Sequence, residues 1–290
     1  MNALRFMAGW HPLLRVITFI VGVVLVWLPV ALPLYGLSGQ GILPGGDLVP
    51  TVLLYLIFLV LLPRWQQHIH GVKTPWRDVG LTGYSNLFAP LLKGGLLGLS
   101  SIAILGGIQI MLGWAQVYPV ERHWPGIILL GGITAFAVGW AEELLFRGWL
   151  LRELERGWSA SAALVTTSVV FALAHFIKPL EVILTTLPQF FGLLLLGLVL
   201  GWARHIRILQ KDGTTTSSLG LPIGLHSGLV WGYYILNVGQ LLKPTAAVPD
   251  WVTGINGNPL AGILGLMLLT SLAIWGYRQA HLPRKPYPER

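Results

Sequence analysis

The sequence predicts an all-α, polytopic membrane protein with about eight transmembrane helices and both termini cytoplasmic, and three observations carry this. Hydrophobic residues make up 54% of the chain and charged residues only 10%, where soluble domains hold about 25% charge. The mean hydropathy is +0.70. Apolar runs of about 18 residues or more, long enough to cross a bilayer, recur along the whole chain. A soluble two-domain enzyme, a disordered chain and a nucleic-acid domain are thereby excluded. The net charge of +8 reads as the Lys and Arg that membrane proteins keep in cytoplasmic loops. With no cysteine there is no disulfide, thiolate metal site or Cys nucleophile.

The expected spans follow in order. The first covers residues 16–37, holding Pro29 and Pro33, which membrane helices tolerate, and it reads as a retained anchor rather than a cleaved signal. The second covers about 48–62, with Asp47 and Pro63 at its rims. The third, 91–117, carries Gly94, Gly95, Gly98, Gly106 and Gly107, which suit close helix packing. The fourth runs from Pro125 toward Arg156, and the fifth covers about 160–177. The sixth spans 187–203, the seventh 219–242 and the eighth 259–277. Residues 63–90, with Pro75-Trp76-Arg77-Asp78, read as an interfacial cytoplasmic loop, helical in part. The tail after Tyr277, with Pro283, Pro286 and Pro288, reads as a short disordered end. The chain reads as one membrane domain over 1–290.

Charge sets the orientation. With odd-numbered spans running outward, every Lys and Arg except Arg122, Lys178 and Lys243 falls on the inner side. That asymmetry satisfies the positive-inside rule.

Ionisable residues inside the apolar runs mark candidate function, because membrane interiors penalise them. Glu142 and Glu143 stand side by side in AEELLFRGW. Glu143 and Arg147 are four apart and share a helix face, so they can pair. Glu142 points about 100° away, at ~3.6 residues per turn. His175 lies in FALAHF, late in the fifth span, and His226 in GLHSGLVWG, early in the seventh. From the turn near 157–159, Glu142 lies back and His175 forward by similar distances, about 24–26 Å along the helix. In an antiparallel hairpin they are level. His226 stands roughly 10 Å into a helix that also begins inside, so all three can meet near the cytoplasmic side. A carboxylate there can take a proton from an attacking water, and an imidazole can orient that water or stabilise an oxyanion. Glu142, His175 and His226 also form a plausible Zn²⁺ ligand set. The residue types fit both hydrolytic schemes.

The E-E-x-x-x-R of Glu142, Glu143 and Arg147, the F-x-x-x-H of Phe171 and His175, and the later His226 together resemble the motifs of the CAAX-protease and bacteriocin-processing (CPBP, or Abi) family of intramembrane proteases. They cover about residues 126–240. The resemblance implies an eight-helix fold and a type II CAAX prenyl endopeptidase-like reaction, with Glu142 as general base and His175 as its partner. It implies support from Glu143 and Arg147, and an oxyanion contact from His226. The family often carries Asn one turn after that His. Here the position is Val230, and Asn237 lies too far along to replace it directly. A transition-state donor is worth about 2.7–4 kcal/mol, so its loss slows catalysis. The GLHSGLVWGYY form resembles bacterial and plastid members, which implies a bacterial plasma membrane or a thylakoid membrane and does not require a prenylated substrate.

The leading expectation is an intramembrane endopeptidase acting on a peptide or protein C-terminal tail, with no cofactor required, since no fourth zinc ligand is evident. Its partners are that tail, the lipid bilayer and other membrane proteins, not nucleic acid. The alternative is a non-catalytic membrane scaffold or assembly protein on the same fold. A transporter would need a polar path through the outer halves, where only Gln109 and Gln116 stand out.

Overall fold

The computed structural model describes residues 4–42, 48–119, 124–209 and 215–282. Asp47, Arg122, Lys211, Arg284, Lys285, Arg290 and the end of the proline-containing tail lie outside the described residues. Helices dominate: α1 (Pro12–Gly39), α2 (Leu48–His68), α3 (Pro75–Asp78), α4 (Tyr84–Met111), α5 (Trp124–Glu143), α6 (Leu151–Glu155), α7 (Ala160–Ala174), α8 (Leu180–Thr186), α9 (Gln189–His205), α10 (Gly220–Tyr233), α11 (Asp250–Thr253) and α12 (Ile263–His281). Two short antiparallel ladders join β1 (Ala115–Val117) to β4 (Leu242–Pro244), and β2 (Ile208–Leu209) to β3 (Thr215–Thr216).

This is an all-α integral membrane protein. Among the described residues four helices are long and apolar enough to cross a membrane: α1, α2, α4 and the continuous stretch Trp124–Glu155. A fifth arises if α8 and α9, bent by 74° at their junction, form one broken span. Eight apolar runs thus do not become eight long helices. The run at 160–177 ends as a helix at Ala174, and the run at 219–242 passes from α10 into a π-helical turn, Tyr234–Val238. Pro63 does not close the second span, because α2 continues through it to His68. A bilayer-facing helix keeps its ladder through a proline when neighbouring groups re-satisfy the freed carbonyl.

The chain groups into two compact units, one of residues 1–79 and 149–159, the other of residues 80–148 and 160–290. In the first, Phe19 packs against Phe58, Trp65 and Trp149, with ring centroids 4.6–6.0 Å apart. Below this apolar cluster lies a buried ionic one. The Glu153 carboxylate accepts from Arg15 Nε at 2.5 Å, His70 Nε2 at 3.0 Å and Trp65 Nε1 at 3.3 Å. Asp78 accepts from Arg152 and Arg156, and Gln66 shares Arg156. The 63–90 segment thus contributes fixed ion partners besides a surface loop.

The second unit is assembled around α10. A side chain on Gly224 would collide with the Leu91 carbonyl of α4, and one on Gly228 with the Gly95 carbonyl. Gly94 and Gly98 meet α10 equally closely, so the two backbones touch directly. Gly107 faces open space and takes no part in this packing. Gly139 brings α5 against Ser227 of α10 in the same way.

Candidate active site

Glu142 and Glu143 are the last two residues of α5, and the π-helical segment Leu144–Leu150 follows at once. Such segments inside α-helices recur at functional sites. The Glu143–Arg147 pair forms across it: Arg147 Nη1 donates to Glu143 Oε1 at 2.9 Å. Arg147 Nη2 donates to the Gly197 carbonyl of α9 at 3.1 Å. Glu143 is 0% exposed and Arg147 1%, so this is a fully desolvated ion pair.

Phe171, wholly buried on α7, is the plate on which the cluster is stacked. The Arg147 guanidinium lies 4.3 Å over its ring centroid, a desolvated cation–π contact. The His175 and His226 rings meet it edge-on at 4.7 and 6.1 Å. His175 stands one residue beyond α7 rather than inside it, in the turn closed by its N–H on the Ala172 carbonyl. Leaving the helix frees its ring to face α5.

Both imidazoles are fixed at Nδ1. His175 Nδ1 is 2.8 Å from the Phe171 carbonyl, and His226 Nδ1 is 2.9 Å from Glu143 Oε1. A carbonyl and an ion-paired carboxylate only accept, so Nδ1 carries the proton in each ring. Nε2 of each ring is thereby directed to the same atom. Glu142 Oε2 lies 3.9 Å from His175 Nε2 and 3.9 Å from His226 Nε2. That is beyond a direct hydrogen bond, and Glu142 Oε2 is buried with no hydrogen-bond partner in the protein. A single water about 2.8 Å from each group fits the gap. Glu142 and His175 keep side-chain exposures of 29% and 33%, whereas His226 keeps 5%. The face is open on one side and walled on the other.

The sequence offers Glu142, His175 and His226 as Zn²⁺ donors. Among the described residues, no group of three or more His, Cys, Asp or Glu is spaced to hold a metal ion.

The five residues singled out from the sequence therefore stand together. Two partners were not legible there: the Gly197 carbonyl, a backbone atom of another helix, and the Phe171 carbonyl that orients His175. Val230 lies one turn beyond His226 and lines an apolar cavity with it. Asn237 sits in the following π turn, where its side chain donates to the Tyr233 carbonyl.

Residues 122–232 match the family model described as Rce1-like: type II CAAX prenyl endopeptidase Rce1-like. The matched segment holds Glu142, Glu143, Arg147, Phe171, His175 and His226. The match takes in less than half of the chain and is a similarity of that segment. No curated protein and no solved structure matches the chain.

Proposed function

We propose that this protein is an intramembrane endopeptidase. It hydrolyses a peptide bond in a peptide or protein C-terminal tail near the cytoplasmic face of a bacterial plasma membrane or a thylakoid membrane. The observation that carries the reading is the equal 3.9 Å separation of Glu142 Oε2 from the two Nε2 atoms, which a water beside the line joining them can bridge at about 2.8 Å per hydrogen bond.

In this scheme the water is held between Glu142 and the imidazoles. Glu142 takes its proton as the oxygen bonds to the scissile carbonyl carbon. The resulting oxyanion accepts from His226 Nε2–H. Because Nδ1–H of that ring is given to Glu143, this donation requires a proton on Nε2 as well. Collapse of the tetrahedral intermediate breaks the C–N bond, and Glu142 returns its proton to the leaving amine. Glu143 and Arg147 are positioning residues, acting through His226 and Phe171.

The test is cleavage of a peptide library by the purified protein in nanodiscs, wild type against Glu142→Gln. General base catalysis is worth about 10²–10⁴-fold, and the variant should lose that much rate while melting like the wild type. Chelation by EDTA should leave the wild-type rate intact. Loss on chelation with restoration by Zn²⁺ would assign the water to a metal. A wild type that cleaves no peptide would transfer the fold to the scaffold reading.

A further inference from the structure

We infer that the groove between α1 and α2, in the first unit, binds one anionic glycerophospholipid, with its phosphate at Arg64 and His68 and an acyl chain lying along Gly22. None of the residues proposed for catalysis lines this groove, so the site stands whether or not the protein is a protease. The groove measures about 500 Å³. Its walls are apolar: Met7 of the short 3₁₀ helix Arg5–Gly9, Phe19, Gly22 and Val26 of α1, and Leu61 of α2. One end is cationic. Arg64 and His68, one turn apart on α2, line the same groove. The Arg5 guanidinium joins them, close enough to Gly71 that a side chain there would touch it. This is the end of α2 that the charge asymmetry assigns to the cytoplasmic side, where basic residues meet anionic headgroups.

Charge and shape name the occupant. Arg64 is exposed and spends one N–H on the Val60 carbonyl at 2.7 Å, and a guanidinium has five donors in a fork that suits phosphate oxygens. His68 Nδ1 is 2.8 Å from the Arg64 carbonyl, so Nδ1 carries the proton there. Among the described residues, no Asp or Glu lines the groove. Glu153, bonded to the lining Trp65, is paired with Arg15 and 0% exposed. An incoming phosphate therefore meets uncompensated cations, and the ammonium of a zwitterionic headgroup is repelled by them. From Thr18 to Val26 the groove follows α1 for about 12 Å at ~1.5 Å per residue, close to the ~15 Å hydrocarbon depth of one leaflet. A partner helix, about 10–12 Å across, would fill ~900 Å³ or more over that length, so the groove suits a chain and not a helix. Gly22 makes the slot, since a side chain there would meet nothing within 4 Å. Behind it Phe19 is held by Phe58 and Trp65, which keeps the floor from closing the space.

The experiment is native mass spectrometry of the full chain in detergent micelles, titrated with dioleoylphosphatidylglycerol or dioleoylphosphatidylcholine. Each cation beside an anionic lipid is worth about a five-fold change in affinity. Phosphatidylglycerol should therefore form a one-to-one complex about five-fold or more tighter than phosphatidylcholine, and Arg64→Gln should remove about that factor. Lys243→Gln, which deletes the same charge from a lysine stacked on Tyr118, should leave the affinity unchanged. Gly22→Leu should fill the slot and abolish the complex while melting like the wild type. If that variant fails to fold, an acyl series from dihexanoyl to dioleoyl decides, because only a chain lying in the groove gains affinity with length. Equal binding of the two lipids, or an Arg64→Gln variant that binds phosphatidylglycerol like the wild type, would overturn the site. So would glycerophosphoglycerol binding as tightly as the intact lipid, which leaves a free-anion site. A dimer that Gly22→Leu dissociates would also overturn it, by giving the groove to a second chain.

Discussion

Removing the Arg147 guanidinium tests whether the buried ion pair holds the second unit together. Arg147→Met keeps an apolar stem of similar reach and deletes three contacts: the bond to Glu143 at 2.9 Å, the bond to the Gly197 carbonyl at 3.1 Å and the stacking over Phe171. Breaking a buried pair from one side costs about 3–5 kcal/mol, because the other charge stays behind desolvated. At about 2–4 °C per kcal/mol for a chain of this order, melting should fall by roughly 6–20 °C. The 13 Trp residues supply a fluorescence signal for thermal unfolding in detergent micelles. The double variant Glu143→Leu/Arg147→Met removes the stranded carboxylate and should recover part of the loss. Recovery stays incomplete because His226 Nδ1–H then has no acceptor, a penalty of about 1–3 kcal/mol. A single variant melting within about 2 °C of the wild type, or a double variant no more stable than the single, would refute the reasoning.

Three further outcomes follow from packing and charge. Gly224→Val should yield no folded protein, since its side chain would enter the Leu91 carbonyl, while Gly107→Ala, facing open space, should change stability by less than about 0.5 kcal/mol; folded yield and melting in micelles measure both. Arg15→Leu should destabilise by less than the ~3–5 kcal/mol of a stranded charge, because His70 and Trp65 still donate to Glu153, whereas Arg64→Leu, whose guanidinium is exposed on the Val60 carbonyl, should be near neutral. Tags fused at Met1 and at Arg290 should both report from the cytoplasmic side in a protease-protection assay, and tags on opposite faces would reject the charge argument for orientation.

Composition carried the class of this protein because exclusion of water is a bulk property. A chain with 10% charge has no soluble fold open to it. Helix ends were another matter. An apolar run records where water is excluded and says nothing of where the backbone ladder stops. Residues 160–174 hold no ionisable group, yet α7 stops at Ala174 and His175, in the following turn, faces Glu142 of α5. The break between α8 and α9 lies at Leu187-Pro188, at the start of the 187–203 run, and α8 itself falls between two runs read from the sequence. The glycines divide similarly: Gly94 and Gly98 face α10 and Gly107 does not, which depends on helix phase and not on composition.

The candidate site was more legible than its surroundings, since a charge in an apolar run is costly enough to be kept only for a reason. Spacing alone paired Glu143 with Arg147 and put Glu142 level with His175. The parts that escaped are backbone atoms and distant neighbours. The Phe171 and Gly197 carbonyls have no sequence signature. The cavity beside His226 gathers Leu105, Leu196 and Leu260, residues that meet only after folding.

The adjacent carboxylates show why position in a helix can assign different tasks to one residue type. Glu143 is sealed, with Arg147 and His226 both bound to its Oε1, so it has no room for substrate and serves to hold two cations or donors in place. Glu142, one residue earlier and about 100° around the helix at ~3.6 residues per turn, also leaves its Oε2 without a protein partner but keeps its side chain 29% exposed where Glu143 is 0%. Two carboxylates whose environments differ this much take different roles. Exchanging the environments would require rotating α5 by that same 100°. The Gly139 contact with Ser227 forbids the rotation, since any side chain brought round to that face would strike α10. The close packing of α5 on α10 thus selects which glutamate faces the two imidazoles.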